Sequence, residues 1–231
     1  MLLFHGSQAN SAAWIGDVPT LAKSFRLYAV DMIGETGFSA PSRPDLSTDA
    51  HALWLDDVLA GLGVARAAIV GVSLGGWLAL DYAVRRPDQV RSLALICPAG
   101  IGRQKNFLLK ALPLLLLGAW GANRVRAMVF GPRPAEVPQA MKPFAGLMDT
   151  IAKEAAPRTA RIPALTDAQL QALAMPLLVI VGGRDVLLDS YDTRDRLQRS
   201  TPRAEVVFIE DGYHYLPGQT ARIASFLERT I

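Results

Sequence analysis

The 231-residue sequence contains one cysteine, Cys97, so no disulfide can close within the chain. Neither a CxxC nor a CxxH metal spacing occurs, and no metal or organic cofactor is expected. A lone cysteine suits a reducing compartment. Charge of one sign is also scarce: 24 Lys and Arg stand against 21 Asp and Glu, for a net charge of +3. The cations are scattered and form no stripe, which argues against a nucleic-acid surface. The opening residues, MLLFHGSQ, lack the basic start and small-residue cleavage site of a secretory leader. The most apolar run, FLLKALPLLLLGAW over 107–120, is too short to cross a bilayer and carries Lys110 and Pro113. These absences lead to the expectation of a cytoplasmic protein with no stable membrane span. Hydrophobic residues make up 51% of the chain and charged residues 19%, so a large buried core is expected and disorder is not.

Short apolar runs alternate with helical patterns. Strands are expected at 1–5, 26–31, 67–72, 90–96, 176–182 and 204–210, nearly all continuously apolar, as in a parallel sheet covered on both faces. Between them, 47–63 reads as a helix capped by Ser47 or Thr48, and 75–89 as a helix stopped by Pro87. Further helices are expected at 192–200 and 220–231. This rhythm predicts an α/β fold with a mostly parallel sheet of about six strands flanked by helices. It breaks between about Gly100 and Ala174, where no strand pattern appears. That gives a core of 1–99 and 175–231 and a helical insertion of 100–174.

The stretch AAIVGVSLGGWLAL (67–80) places Ser73 between glycines, where an expected strand turns into an expected helix. Serine and glycine are both poor choices for local stability here. Gly71-Val72-Ser73-Leu74-Gly75 is G-x-S-x-G in the strand–turn–helix setting that gives the pattern meaning: a hydroxyl held out at a strand end, beside a helix N-terminus that favours negative charge. A serine hydroxyl is a weak nucleophile and needs a base. Of three histidines, only His214, in DGYHYLP, lies downstream of Ser73, as the order Ser…acid…His requires. Asp185, after the strand-end glycines of VIVGGRD, is the candidate acid, with Asp189 in reserve. The backbone N–H groups of Leu74 and of Ser7, in FHGSQ, are candidate oxyanion donors, with His5 as a structural prop for the 5–8 loop.

Together, HGSQANSAAW (5–14), YAVDMIGETGFS (28–39), GVSLGG (71–76), VGGRD (181–185) and GYHYL (212–216) resemble an α/β-hydrolase, and within it small bacterial carboxylesterases. The resemblance implies a helical cap over the active site where the insertion lies. The chain departs from the family in three ways. It starts at the HG strand, without the two strands that usually precede it. Its run from the histidine to the last helix is short. Tyr213 and Tyr215 flank His214 as either pocket wall or turn aromatics. Without earlier strands the strand at 26–31 becomes an edge, an association hazard that a homodimer there would cover.

The reading that follows is a serine ester hydrolase working through an acyl-enzyme on small-molecule esters of short to medium acyl or aryl type. Trp14, Leu112, Leu116, Phe144 and Met148 are candidate substrate contacts. The same triad also serves C–C hydrolases, lactonases, thioesterases and perhydrolases, and the scaffold can carry a non-catalytic ligand-binding protein.

Overall fold

The structure, a computed structural model, describes residues 1–132, 136, 139 and 142–230. Six strands form one parallel sheet in the order β2-β1-β3-β4-β5-β6: β1 (Leu2–Phe4), β2 (Tyr28–Val30), β3 (Ala67–Val72), β4 (Val90–Ile96), β5 (Leu177–Gly182) and β6 (Glu205–Ile209). The strands lie where the apolar runs predict, and β2 is an edge.

Register explains why both faces are apolar. Leu2, Ile69, Leu93 and Leu177 align across four strands on one face, and Leu3, Val70, Ala94 and Leu178 on the other. The first row packs beneath α2 (Ala50–Leu62), α3 (Leu74–Arg85) and α8 (Ser190–Ser200), in a cluster with Leu55, Trp77, Leu80 and Leu197. The second row packs beneath α1 (Val18–Leu21) and α9 (Thr220–Thr230), with Trp14, Leu21, Ile223, Phe226 and Leu227. Each such leucine, isoleucine or phenylalanine contributes about 1.5–3 kcal/mol when taken out of water. The two clusters are therefore the main source of stability.

Helix α2 corrects one expectation. It starts at Ala50, and Asp49 precedes it without a side-chain capping bond. Ser47 and Thr48 turn back onto Asp45: Ser47 N–H donates to Asp45 Oδ1 at 2.8 Å and the Thr48 hydroxyl to the Asp45 carbonyl at 2.8 Å, while Thr48 Oγ1 keeps only a long contact, 3.4 Å, from Ala50 N–H. A local aspartate turn takes the shorter bonds and leaves the cap weak. The helix ends as predicted at a glycine, Gly63, with φ +65°.

Within 100–174 the described elements are helices: α4 (Phe107–Leu115), α5 (Gly118–Phe130), α6 (Lys142–Glu154) and α7 (Asp167–Gln171). Leu165, Leu170, Leu173 and Met175 are buried in the first core cluster. The stretch from about 165 onward thus belongs to the layer over the sheet, and the outlying part of the insertion is α4 to α6. No helix among the described residues is long and apolar enough to cross a membrane.

Candidate active site

Strands β3, β5 and β6 end at the same edge of the sheet, and the loops after them carry Ser73, Asp185 and His214 respectively. Ser73 sits on the sharp turn between β3 and α3 with φ +53° and ψ −109°, a backbone conformation that costs a non-glycine residue of order 1–3 kcal/mol. The turn is held by Ser73 N–H to the Ile96 carbonyl at 3.0 Å and by Trp77 and Ala99 N–H to the Ser73 carbonyl at 3.0 and 3.1 Å. It closes only because its flanks are glycines. A Cβ at Gly71 would lie 2.5 Å from the Gly75 carbonyl oxygen, and one at Gly75 would lie 2.5 Å from that of His5. The small residues of the motif let α3 press against both its own strand and β1.

Ser73 Oγ is 2.9 Å from His214 Nε2, and His214 Nδ1 is 2.7 Å from Asp185 Oδ2. The three side chains, 112 and 29 residues apart in sequence, make one unbroken hydrogen-bonded row. Asp185 is almost fully buried, and its other oxygen accepts from the N–H groups of Leu187 and Leu188 at 2.8 and 3.0 Å. Those donors fix the carboxylate toward the imidazole. Asp189, the reserve acid, is used elsewhere: it caps α8 by accepting from Asp192 N–H at 3.1 Å and pairs with Arg103 at 3.2 Å. Arg184 pairs with Asp211, not with Asp185.

The loop bearing His214 is braced by the insertion. His214 N–H donates to the Val129 carbonyl in α5 at 3.1 Å. Tyr213 packs against Gly131, and the Tyr215 ring lies 6.3 Å from that of Phe130. Both tyrosines are thus the histidine loop's packing surface against α5. Sequence reasoning found the aromatics but had no means of finding their partners.

Cys97, at the end of β4, places its sulfur with Asp185 and His214 so that potential ligand atoms lie within 4.8 Å of one another. The arrangement is ill-suited to a metal. The carboxylate and imidazole already bond each other, and burial, reinforced by the Asp185 charge, pushes the thiol's pKa up and keeps it protonated.

On the other side of Ser73 lies the 5–8 loop. A Cβ at Gly6 would be 3.6 Å from Ser73 Cβ, so this loop rests against Ser73. His5 is the expected prop: its Nε2 accepts Met32 N–H at 3.0 Å, so Nδ1 carries the proton and donates to the Gly6 carbonyl at 2.7 Å. Burial lowers its pKa and keeps it neutral. Gln8, at φ +53°, directs its N–H to Glu35 Oε2 at 2.9 Å, and the Ser7 hydroxyl reaches the same oxygen at 3.3 Å. Leu74 N–H is the first donor of α3, an end whose N–H groups have no carbonyl partner within the helix.

Sequence reasoning missed Glu35 and Arg158. They form a buried ion pair at 2.9 Å beside a small cavity also lined by Met32, His51, Leu74 and Trp77. Nothing local marks them, since they lie 123 residues apart.

Among the candidate substrate contacts, Phe144 and Met148 are half-buried on α6. Trp14 is in the core beneath α9, and Leu112 and Leu116 face solvent. Trp14 is the buried position of its 3-10 turn (Ser11–Trp14), Leu112 lies on the outer side of α4, and Leu116 is the residue that caps its C-terminus.

A family model describing the alpha/beta hydrolase fold matches residues 1–164. The chain belongs to the α/β-hydrolase family. Two curated relatives of this hydrolase come from Bacillus subtilis. The uncharacterized carboxylesterase nap is 26% identical over 219 residues, covering 94% of this chain and 73% of the relative. The carboxylesterase YbfK is 25% identical over 235 residues, covering 98% and 79%. Among solved structures, naproxen esterase from the same organism superposes with a TM-score of 0.80 at 24% identity, covering 99% of this α/β-hydrolase and 81% of that chain.

Proposed function

We propose that the chain is a serine carboxylesterase that cleaves carboxylic esters of short to medium acyl or aryl type through an acyl-enzyme on Ser73. The observation that carries this reading is the row from Ser73 through His214 to Asp185, with links of 2.9 and 2.7 Å at the strand ends. In the first step Ser73 Oγ attacks the ester carbonyl while His214 Nε2 takes its proton. Asp185 holds the imidazole by Nδ1 and stabilises its cation. The N–H groups of Ser7 and Leu74 receive the oxyanion. His214 then protonates the leaving alcohol. Water, deprotonated by the same nitrogen, releases the acid and restores the serine. The carboxylesterase names of the relatives support an ester over other acyl substrates. The half-burial of Phe144 and Met148 on α6 is compatible with their meeting an apolar acyl group.

The test is a p-nitrophenyl ester panel from acetate to laurate, run on the chain and on Ser73→Ala. Turnover that falls off towards long chains, with a burst of alcohol absent from the variant, is the expected result. Binding of every ester without turnover would overturn the enzyme reading, and turnover retained by Ser73→Ala would overturn the nucleophile.

A further inference from the structure

The insertion presents an exposed apolar surface along α4 and the start of α5. On α4 the inward positions are Phe107, Ala111 and Leu114, which fall on one side of a helix by the 3.6 period. The opposite side carries Leu108, Leu109, Leu112 and Leu116, and the turn into α5 adds Leu117 and Trp120. Leu109 is 74% exposed, Leu116 82% and Trp120 64%. A helix in a water-soluble protein normally turns polar residues outward; this one turns leucines. The flanks are cationic, with Lys110 and Arg124 both exposed. The sequence has no Asp or Glu between Asp88 and Glu136, so the hairpin contributes no carboxylate to the patch.

We propose that the outer face of the α4–α5 hairpin docks on an anionic lipid surface, lying in its interface without crossing it. Leucines and a tryptophan with lysine and arginine at the margin are the chemistry of an interfacial helix: apolar side chains enter the acyl boundary and the cations meet the lipid phosphates. Charge decides between this occupant and a second copy of the chain. A two-fold contact through the same face would bring Lys110 and Arg124 of both copies together with no hairpin carboxylate to offset them. Spanning is excluded by length, since α4 has 9 residues and α5 has 13. The end of α5 adjoins the His214 loop through Val129, so docking would set the candidate site beside the lipid boundary.

The proposal does not depend on the esterase reading and is tested without it. The Ser73→Ala chain is floated with vesicles of phosphatidylcholine alone and of phosphatidylcholine mixed with phosphatidylglycerol. Flotation with the mixed vesicles, weakened by salt and weak with the neutral ones, is expected. Leu109→Gln combined with Leu116→Gln should reduce partitioning about ten-fold or more while leaving the melting temperature unchanged, because both side chains are in solvent. Lys110→Glu with Arg124→Glu should remove the preference for anionic vesicles. Equal binding to both vesicle types, no binding to either, or a stable dimer in solution that the leucine substitutions dissociate would each overturn it.

Discussion

Arg158 Nε lies 2.9 Å from Glu35 Oε1, with the two side chains 6% and 1% exposed. The pair is the inner bolt of a longer seam between the end of the insertion and the loops beside Ser73. Gln8 Nε2 donates to the Ala155 carbonyl at 3.1 Å, and Arg43 donates to the carbonyls of Ala156 and Pro157 at 2.7 and 3.3 Å. Glu35 also accepts from Gln8 N–H, so one carboxylate joins the insertion to the loop that bears Ser7.

Removing one member of such a pair leaves a buried charge alone. Arg158→Met should lower stability by about 3–5 kcal/mol in urea titrations. Adding Glu35→Gln should recover part of the loss, because the stranded charge is gone. Ester turnover should fall in Glu35→Gln even where the fold is intact, since the Gln8 N–H then meets a weaker acceptor and the 5–8 loop, which bears the proposed oxyanion donor Ser7, loosens. Full kcat in that variant would separate the seam from catalysis.

The strained turn at Ser73 allows stability and activity to be set against each other. Ser73→Ala and Ser73→Gly should both lose turnover by about a million-fold. Glycine tolerates φ +53° and alanine does not, so Ser73→Gly should be the more stable of the two by about 1 kcal/mol. Thermal unfolding of the pair gives the difference directly.

Asp185→Asn keeps an oxygen for the Leu187 and Leu188 N–H groups but loses the charge that faces His214. The expected effect is a fall in kcat of about ten-thousand-fold with little change in the urea midpoint. A loss of fold comparable to the loss of rate would mean that the carboxylate is chiefly structural.

His51 should make stability depend on pH. It is buried among Arg158, Glu35 and the edge-on Trp77 ring, its Nδ1 has no hydrogen-bond partner among the described residues, and its pKa is lowered to about 4 by burial first and the Arg158 charge second, against Glu35. The folded value is below the unfolded value of 6.5, so the unfolded chain takes up a proton first as pH falls. The stabilisation is complete above about 6.5 and is lost between there and about 4, by on the order of 2 kcal/mol. Urea midpoints near pH 7 and near pH 4 should differ by less in His51→Gln than in the parent chain.

The sheet and the Ser73–Asp185–His214 row were legible because their signals are local. Continuous apolar runs mark buried parallel strands, and the glycines around Ser73 are needed by the turn itself, as the 2.5 Å approaches show. Choosing His214 took little more than the scarcity of histidine. What was not legible depends on distant partners. Glu35 and Arg158 look like surface charges in sequence, and no spacing links them. On α4 nearly every residue is apolar, so periodicity cannot tell Leu114, which faces inward, from Leu112 and Leu116, which do not. The start of α2 differs from the capping pattern because Ser47 and Thr48 find shorter bonds to Asp45 than Thr48 makes to Ala50 N–H.

The bond from His214 N–H to the Val129 carbonyl makes the imidazole's place above the sheet depend on a helix that is not part of the sheet's own layers. One end of the Ser73–His214–Asp185 row is thus anchored in the insertion, and a change that displaces α5 bears on that row without touching any of its three side chains.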